Sequence, residues 1–160
     1  MSKKNSIVLF IFLAIFSTYL IWVHQIRQNE EKQIEQIILN YVTLIQEKRY
    51  SGVAEIAFFK DENAWLLEEL PYMWEPFEII TIGSIQLERI ENELYSSAID
   101  VYVLIESENI YYTLNVDPYI AKINGEWKII INPRDIPSNF SYSPELPDGA
   151  IDLNEIQLLD

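Results

Sequence analysis

Residues Tyr111–Ile131 read YYTLNVDPYIAKINGEWKIII, and one dipeptide inside them decides the fold. A two-residue Asn124-Gly125 loop favours a type I′ hairpin, because both central residues need positive φ and Asn and Gly tolerate it best. The turn then sets a register: Ile123 opposite Glu126, Lys122 opposite Trp127, Ile120 opposite Ile129, Pro118 opposite Ile131. Side chains alternate with period two, so Tyr112, Leu114, Val116, Ile120, Trp127, Ile129 and Ile131 share one face. Thr113, Asn115, Asp117, Tyr119, Ala121, Glu126 and Lys128 share the other. This division predicts one face on a core and the other largely in water. Pro118 marks where the first arm bends or leaves its ladder.

Outward from the hairpin, Leu94–Ile105 reads as a strand with Tyr95, Ile99, Val101, Val103 and Ile105 on one face and Ser96, Ala98, Asp100 and Tyr102 on the other. Phe77–Arg89 reads as a long curved strand with a bulge or bend at Gly83. The turns at Glu91–Glu93 and Glu106–Asn109 are short, so sequential strands pair and a four-stranded antiparallel meander is expected. Ahead of it, Gln28–Lys48 carries Ile34, Ile37, Ile38, Tyr41, Leu44 and Ile45 at helical spacing. Tyr50–Phe59 predicts a second helix, and a third is expected with Asp61 as its cap and Pro71 as its end. Pro71 to Pro76 then forms a rigid connector. The expected class is α+β, two to three helices covering the apolar face of the curved sheet.

The run Ile7–Val23, IVLFIFLAIFSTYLIWV, is about 17 residues without a charge, at the short end of what spans a bilayer. Lys3 and Lys4 precede it, and Tyr19 and Trp22 lie near its far end, matching a cytoplasmic basic flank and an interfacial aromatic belt. The membrane is therefore an expected partner, with the domain extracytoplasmic. A cleaved secretory signal shares the charged start and apolar centre, but bulky Tyr19-Leu20-Ile21-Trp22 offers no small-residue cleavage site. The chain divides into 1–27 (basic tip and anchor), 28–132 (α+β domain) and 133–160 (a tail holding four prolines and an acidic, apolar end). With 25 acidic and 11 basic residues the formal charge is −14, which repels nucleic acid, so nucleic acid is not an expected partner. Zero cysteines exclude disulfides, thiol catalysis and cysteine zinc sites.

The amphipathic first helix with Asn40-Tyr41-Val42, the entry Arg49-Tyr50-Ser51-Gly52-Val53-Ala54, and the hairpin Ile123-Asn124-Gly125-Glu126-Trp127-Lys128-Ile129 together resemble the nuclear-transport-factor-2-like superfamily, a cystatin-like α+β cone. The resemblance spans about Gln28 to Asn132 and implies a fold; the superfamily hosts enzymes, ligand binders and assembly modules alike. A membrane helix ahead of such a domain is also similar in architecture to single-pass subunits of bacterial secretion and conjugation machines.

Candidate chemistry is sparse. His24 sits where the apolar run ends, an interfacial place and not a catalytic one. Asp100 and Tyr102 share a strand face; inside a cone, burial would make Asp100 a candidate base, and on the outside both are solvated. Asp148, Asp152, Asn154 and Glu155 lack the order of a calcium loop, and no phosphate loop or nucleophile elbow occurs. Trp65, Tyr72, Trp74 and Phe77 gather at the helix-to-sheet junction, where the prolines around Tyr72-Met73-Trp74 could hold them at the cone mouth as a rim for a ligand or partner. The expectation is a membrane-anchored, non-enzymatic binding or assembly module with a protein partner or a homo-oligomer and no cofactor. The alternative is a cone that holds a small apolar molecule or lipid.

Overall fold

The apolar run and the amphipathic stripe belong to one uninterrupted helix, α1 (Lys3–Gln46), in the computed structural model, which describes residues 3–105 and 107–142. Its 44 residues span about 66 Å at ~1.5 Å per residue. The largely polar stretch Gln25–Asn29 that follows the apolar run does not break it: no Gly or Pro falls there, Arg27 pairs with Glu31 at 2.8 Å, and the Gln28 and His24 side chains meet at 2.9 Å. Residues from Phe10 to Val23 stand exposed, whereas from Ile34 one stripe is buried. The helix ends in a Schellman turn, Arg49 N–H donating to the Leu44 carbonyl (2.8 Å) and Lys48 N–H to that of Ile45 (2.9 Å). Lys48 takes the left-handed position there, φ 56°.

Helix α2 (Tyr50–Ile56) packs back on α1 at Gly52, where an added Cβ would lie 2.8 Å from Leu44 Cδ2. It is shorter than the expected Tyr50–Phe59, because the sheet edge captures the residues after Ile56. Ala57 bridges Ile129 in parallel, and Phe58 N–H donates to the Ile129 carbonyl at 2.8 Å. A single 3₁₀ turn at Asp61–Asn63 precedes α3 (Leu66–Trp74). Two expectations are corrected here. Asp61 caps no α-helix, and Pro71 lies inside α3 instead of ending it. Pro71, the sixth of nine residues, removes one hydrogen bond of the helix, and the four-residue spacing of Leu66, Leu70 and Trp74 keeps one face on the core past it.

The antiparallel sheet has five strands, not four: β1 (Phe77–Glu91), β2 (Leu94–Ile105), β3 (Ile110–Val116), β4 (Tyr119–Ile123) and β5 (Glu126–Ile130). The extra strand arises because Asp117-Pro118 splits the hairpin's first arm. Both halves still lie along β2 and keep step: Val116 faces Ile99, and Tyr119 faces Ser96 three residues on. Across the gap Ser97 donates from both its N–H (3.2 Å) and its hydroxyl (2.7 Å) to the Pro118 carbonyl. The β4–β5 register is the one the turn dictates, from Ile123 opposite Glu126 to Ile120 opposite Ile129, with Asn124 at φ 54° and Gly125 at 87°. Register shifts against β2 occur at three places in β1, one of them between Ile82 and Ile85, around Gly83.

The helix-side core joins α1 (Ile34, Ile38, Tyr41, Ile45) to β2 (Tyr95, Ile99, Val101, Val103) and to Ile120, Trp127 and Ile129 of the hairpin. Each such side chain contributes about 1.5–3 kcal/mol by leaving water. The opposite face of the hairpin, expected in water, is corrected at the β4–β5 end. Leu94, Ala121 and Ile130 are buried there under Ile136, with Phe58, Phe140 and Tyr142 packed around them. A sheet edge with apolar residues on both faces needs cover on both, and residues 133–142 supply it. Their anchor is a buried pair in which the Asn63 amide donates to Asp135 Oδ1 at 2.6 Å, assisted by the Lys60 ammonium on the Arg134 carbonyl. Ser141 also bonds Glu91, its hydroxyl donating at 3.0 Å. The expected acidic and apolar end beyond these residues lies outside the described ones.

Candidate functional site

The two ends of the sheet differ in what lies against them. At the Tyr95 end burial raises the tyrosine pKa, and Arg89, Glu30, Glu31 and Arg27 act on it electrostatically, which sets the start of the α1 domain half against that end. At the opposite end Gln46, the last residue of α1, donates from Nε2 to the Ile79 carbonyl at 3.1 Å. The helix therefore travels from the Tyr95 end to the Phe77 end, and the Phe77 end lies farthest from the apolar run. Phe77 faces Ile105 across β1–β2, and Ile105 faces Ile110 across β2–β3.

Trp74 and Phe77 meet there edge to face, ring centres 6.3 Å apart and planes at 74°. Both are half-buried against the core. With Ile45, Tyr50 and Ile79 they line a pocket of about 130 Å³ at the mouth between helices and sheet. Beneath it, burial pushes the Tyr41 hydroxyl up to about 12, and a hydrogen bond with the Trp74 side chain offsets part of that shift. A wider groove of about 480 Å³ along Ile37, Ile56 and Trp127 is open to solvent.

The expected rim residues thus divide. Trp74 and Phe77 form the mouth. Tyr72, 70% exposed, and Trp65, 38% exposed, stand on the outside of the α3 region. Asp100 and Tyr102 join none of these, because their strand face is the one turned away from the helices: Val101 and Val103 between and beyond them are fully buried in the helix-side core. There Asp100 accepts a hydrogen bond from the Ser84 hydroxyl at 2.6 Å, and the Tyr102 ring lies over Gly83, whose added Cβ would stand 2.7 Å from Cε2. A side chain at Gly83 would displace that ring. Asp117 is exposed, as is His24.

A further group escapes the reading of the sequence. Ile110, Tyr111 and Tyr112 are exposed at 43%, 71% and 47%. Alternation places Tyr112 on the core face, and it does share that face with Val103, yet the helices do not reach over it. The signal available in the sequence is the run Ile110–Val116, seven residues without charge, Gly or Pro between Asn109 and Asp117. Together with Tyr72, Met73 and Tyr102 these residues concentrate exposed apolar surface at the end of the domain remote from the apolar run. Patches of this kind mark interaction surfaces in soluble domains.

Among the described residues, no group of three or more His, Asp or Glu side chains is arranged to hold a metal ion. One helix near the N-terminus is long and apolar enough to cross a membrane, and its apolar window is unburied. Comparison with known protein families and with characterised proteins finds no match for the chain.

Proposed function

We propose that the protein is a single-pass, membrane-anchored binding or assembly module, non-enzymatic, whose extracytoplasmic domain is a cone of the nuclear-transport-factor-2-like kind. The observation that carries the reading is the continuity of α1. One helix runs from the apolar segment into the core without a hinge, so the domain stands at a set height and attitude over the bilayer. From Val23 to Ile34 the stalk rises about 16 Å at ~1.5 Å per residue. The exposed aromatic end then faces away from the membrane, where a partner can reach it. Lys3 and Lys4 ahead of the apolar run support a cytoplasmic N-terminus.

The small-ligand reading has less support. Ligand pockets of this type enclose about 300–1,000 Å³; the mouth pocket measures about 130 Å³, and the groove of about 480 Å³ along Ile37, Ile56 and Trp127 lies open to solvent instead of enclosing a ligand. The test is native electrophoresis of membranes solubilised in mild detergent, comparing the wild type with Tyr72→Ser/Tyr111→Ser. The expected result is a complex larger than the chain that disappears in the double variant while the melting temperature stays put. A wild type that runs only as a monomer overturns the reading.

A further inference from the structure

The strand β3 has one neighbour. It pairs with β2 along its whole length, while β5, which flanks β4, ends at Ile130. Among the described residues nothing pairs with the outer edge from Ile110 to Val116, so alternate N–H and C=O groups there face solvent. Sheet edges are ordinarily blunted by bulges, charges, proline or cover. The other two edges of this sheet obey that rule: β1 carries three register shifts, and β5 is capped by Ala57-Phe58. β3 shows none of these devices: it is regular in register, uncharged and proline-free. Two exposed tyrosines project from it, Tyr111 and Tyr112, one toward each face.

The strand segments around this edge carry charge of one sign. From Leu94 to Ala121 the chain contains acids and no lysine, arginine or histidine, and β1 has none before Arg89. Asp100 on β2 faces Asn115, and Glu108 and Asp117 lie just beyond the two ends of the open strand. The edge thus offers an uncharged backbone ladder inside an acidic field. We propose that it takes an extended segment of another protein as a sixth strand, one with apolar residues at alternate positions and basic residues at its flanks.

Two other occupants fit poorly. Antiparallel pairing of two β3 strands puts a twofold axis perpendicular to the sheet. The α1 helix crosses the sheet face, touching both β1 and β5, so that axis would point two α1 helices in opposite directions. On the proposed reading of α1 as a membrane anchor, two copies in one bilayer cannot pair this way. The chain's own residues 143–160 carry five acids and no base, the same sign as the surface they would have to approach.

The proposal rests on the binding-module reading and has its own experiment. Amide hydrogen exchange is followed in the full chain in detergent micelles with a synthetic peptide whose alternating valine–threonine centre matches β3 in length and carries lysines at both ends. At about ten times its dissociation constant the peptide should slow exchange of the edge-facing amides between Tyr111 and Asn115 by about tenfold, leaving β1 unchanged. An analogue N-methylated at alternate positions should give no protection, nor should the same centre flanked by glutamates. Unchanged β3 exchange with the lysine peptide, while the Tyr72- and Tyr111-dependent complex persists, overturns the edge assignment and leaves the module standing. Equal protection by the glutamate peptide overturns the charge assignment. Loss of existing β3 protection on deleting residues 143–160, or disulfide capture of two Tyr111→Cys copies in liposomes, puts a different occupant on the edge and also overturns it.

Discussion

Ile136→Ala tests whether residues 133–142 belong to the folded domain. Ile136 is 7% exposed and sits over Leu94, Ala121 and Ile130 on the sheet face opposite α1. Truncation removes three carbons, about 2.4 kcal/mol at ~0.8 kcal/mol per buried methylene. The cavity left behind adds to this, but the half-buried rings of Phe140 and Tyr142 can settle into part of it, which places the total near 3 kcal/mol, inside the ~2–5 kcal/mol range for such truncations. A domain of this size loses about 4 °C per kcal/mol, so the melting temperature should fall by about 12 °C. The assay is thermal unfolding of the full chain in detergent, followed by tryptophan fluorescence. Ser138→Ala, on the exposed side of the same segment, should change stability by less than about 0.5 kcal/mol. A loss below about 1 kcal/mol for Ile136→Ala would mean that the segment does not cover the sheet, and the second core would have to be abandoned.

The remaining expectations concern the backbone, the stalk and one buried hydroxyl. Lys48→Gly should stabilise the domain by about 1 kcal/mol in urea unfolding, since Lys48 holds the left-handed position of the α1 C-terminal turn at φ 56°. Gly125→Ala should cost about 1–2 kcal/mol in the same assay, because Gly125 sits at φ 87° in the hairpin turn although nothing crowds it. For Tyr41, a folded-state pKa of about 12 against an unfolded value near 10 means that its contribution is whole below pH 10 and is lost as pH rises toward 12, by ~2–3 kcal/mol. The fall in urea midpoint across that window should be correspondingly smaller in Tyr41→Phe. Gln25→Pro should break α1 in its exposed stretch, making Arg27 and Lys32 new trypsin sites while the domain's melting temperature moves by less than about 2 °C. Continued resistance at both sites would contradict the rigid stalk.

Much of the fold is legible because it is written in periodicity. The turn dipeptide dictates the β4–β5 register pair by pair, the 3.6-residue stripe of α1 names the core residues Ile34 to Ile45, and the alternation in β2 separates Val101 and Val103 from Asp100 and Tyr102. The illegible part depends on contacts between segments that share no period. Residues 133–142 have no repeating apolar pattern, so nothing local says that Ile136 covers Ala121 or that Asp135 pairs with Asn63, 72 positions away. Pro71 reads as a stop because propensity speaks for the isolated helix, and the packing of Leu70 and Trp74 overrides it. The exposed pair Tyr102 and Tyr111 is assembled from β2 and β3, and it emerges only after the register has brought two separate stretches to one face at one end of the sheet. The open edge of β3 comes from the same step, since a strand's own residues do not say how many neighbours it has.

On the proposed reading, α1 crosses a bilayer and holds the sheet on the far side. The chain contains no cysteine, so a single introduced one is a unique label. Ser138→Cys and Ser2→Cys are placed in turn in the full chain and treated in intact cells with a membrane-impermeant maleimide. Ser138→Cys should react from outside and Ser2→Cys only after permeabilisation, with both chains remaining in the membrane fraction. Labelling of Ser2→Cys from outside, or recovery of the chain free of membrane, would contradict it.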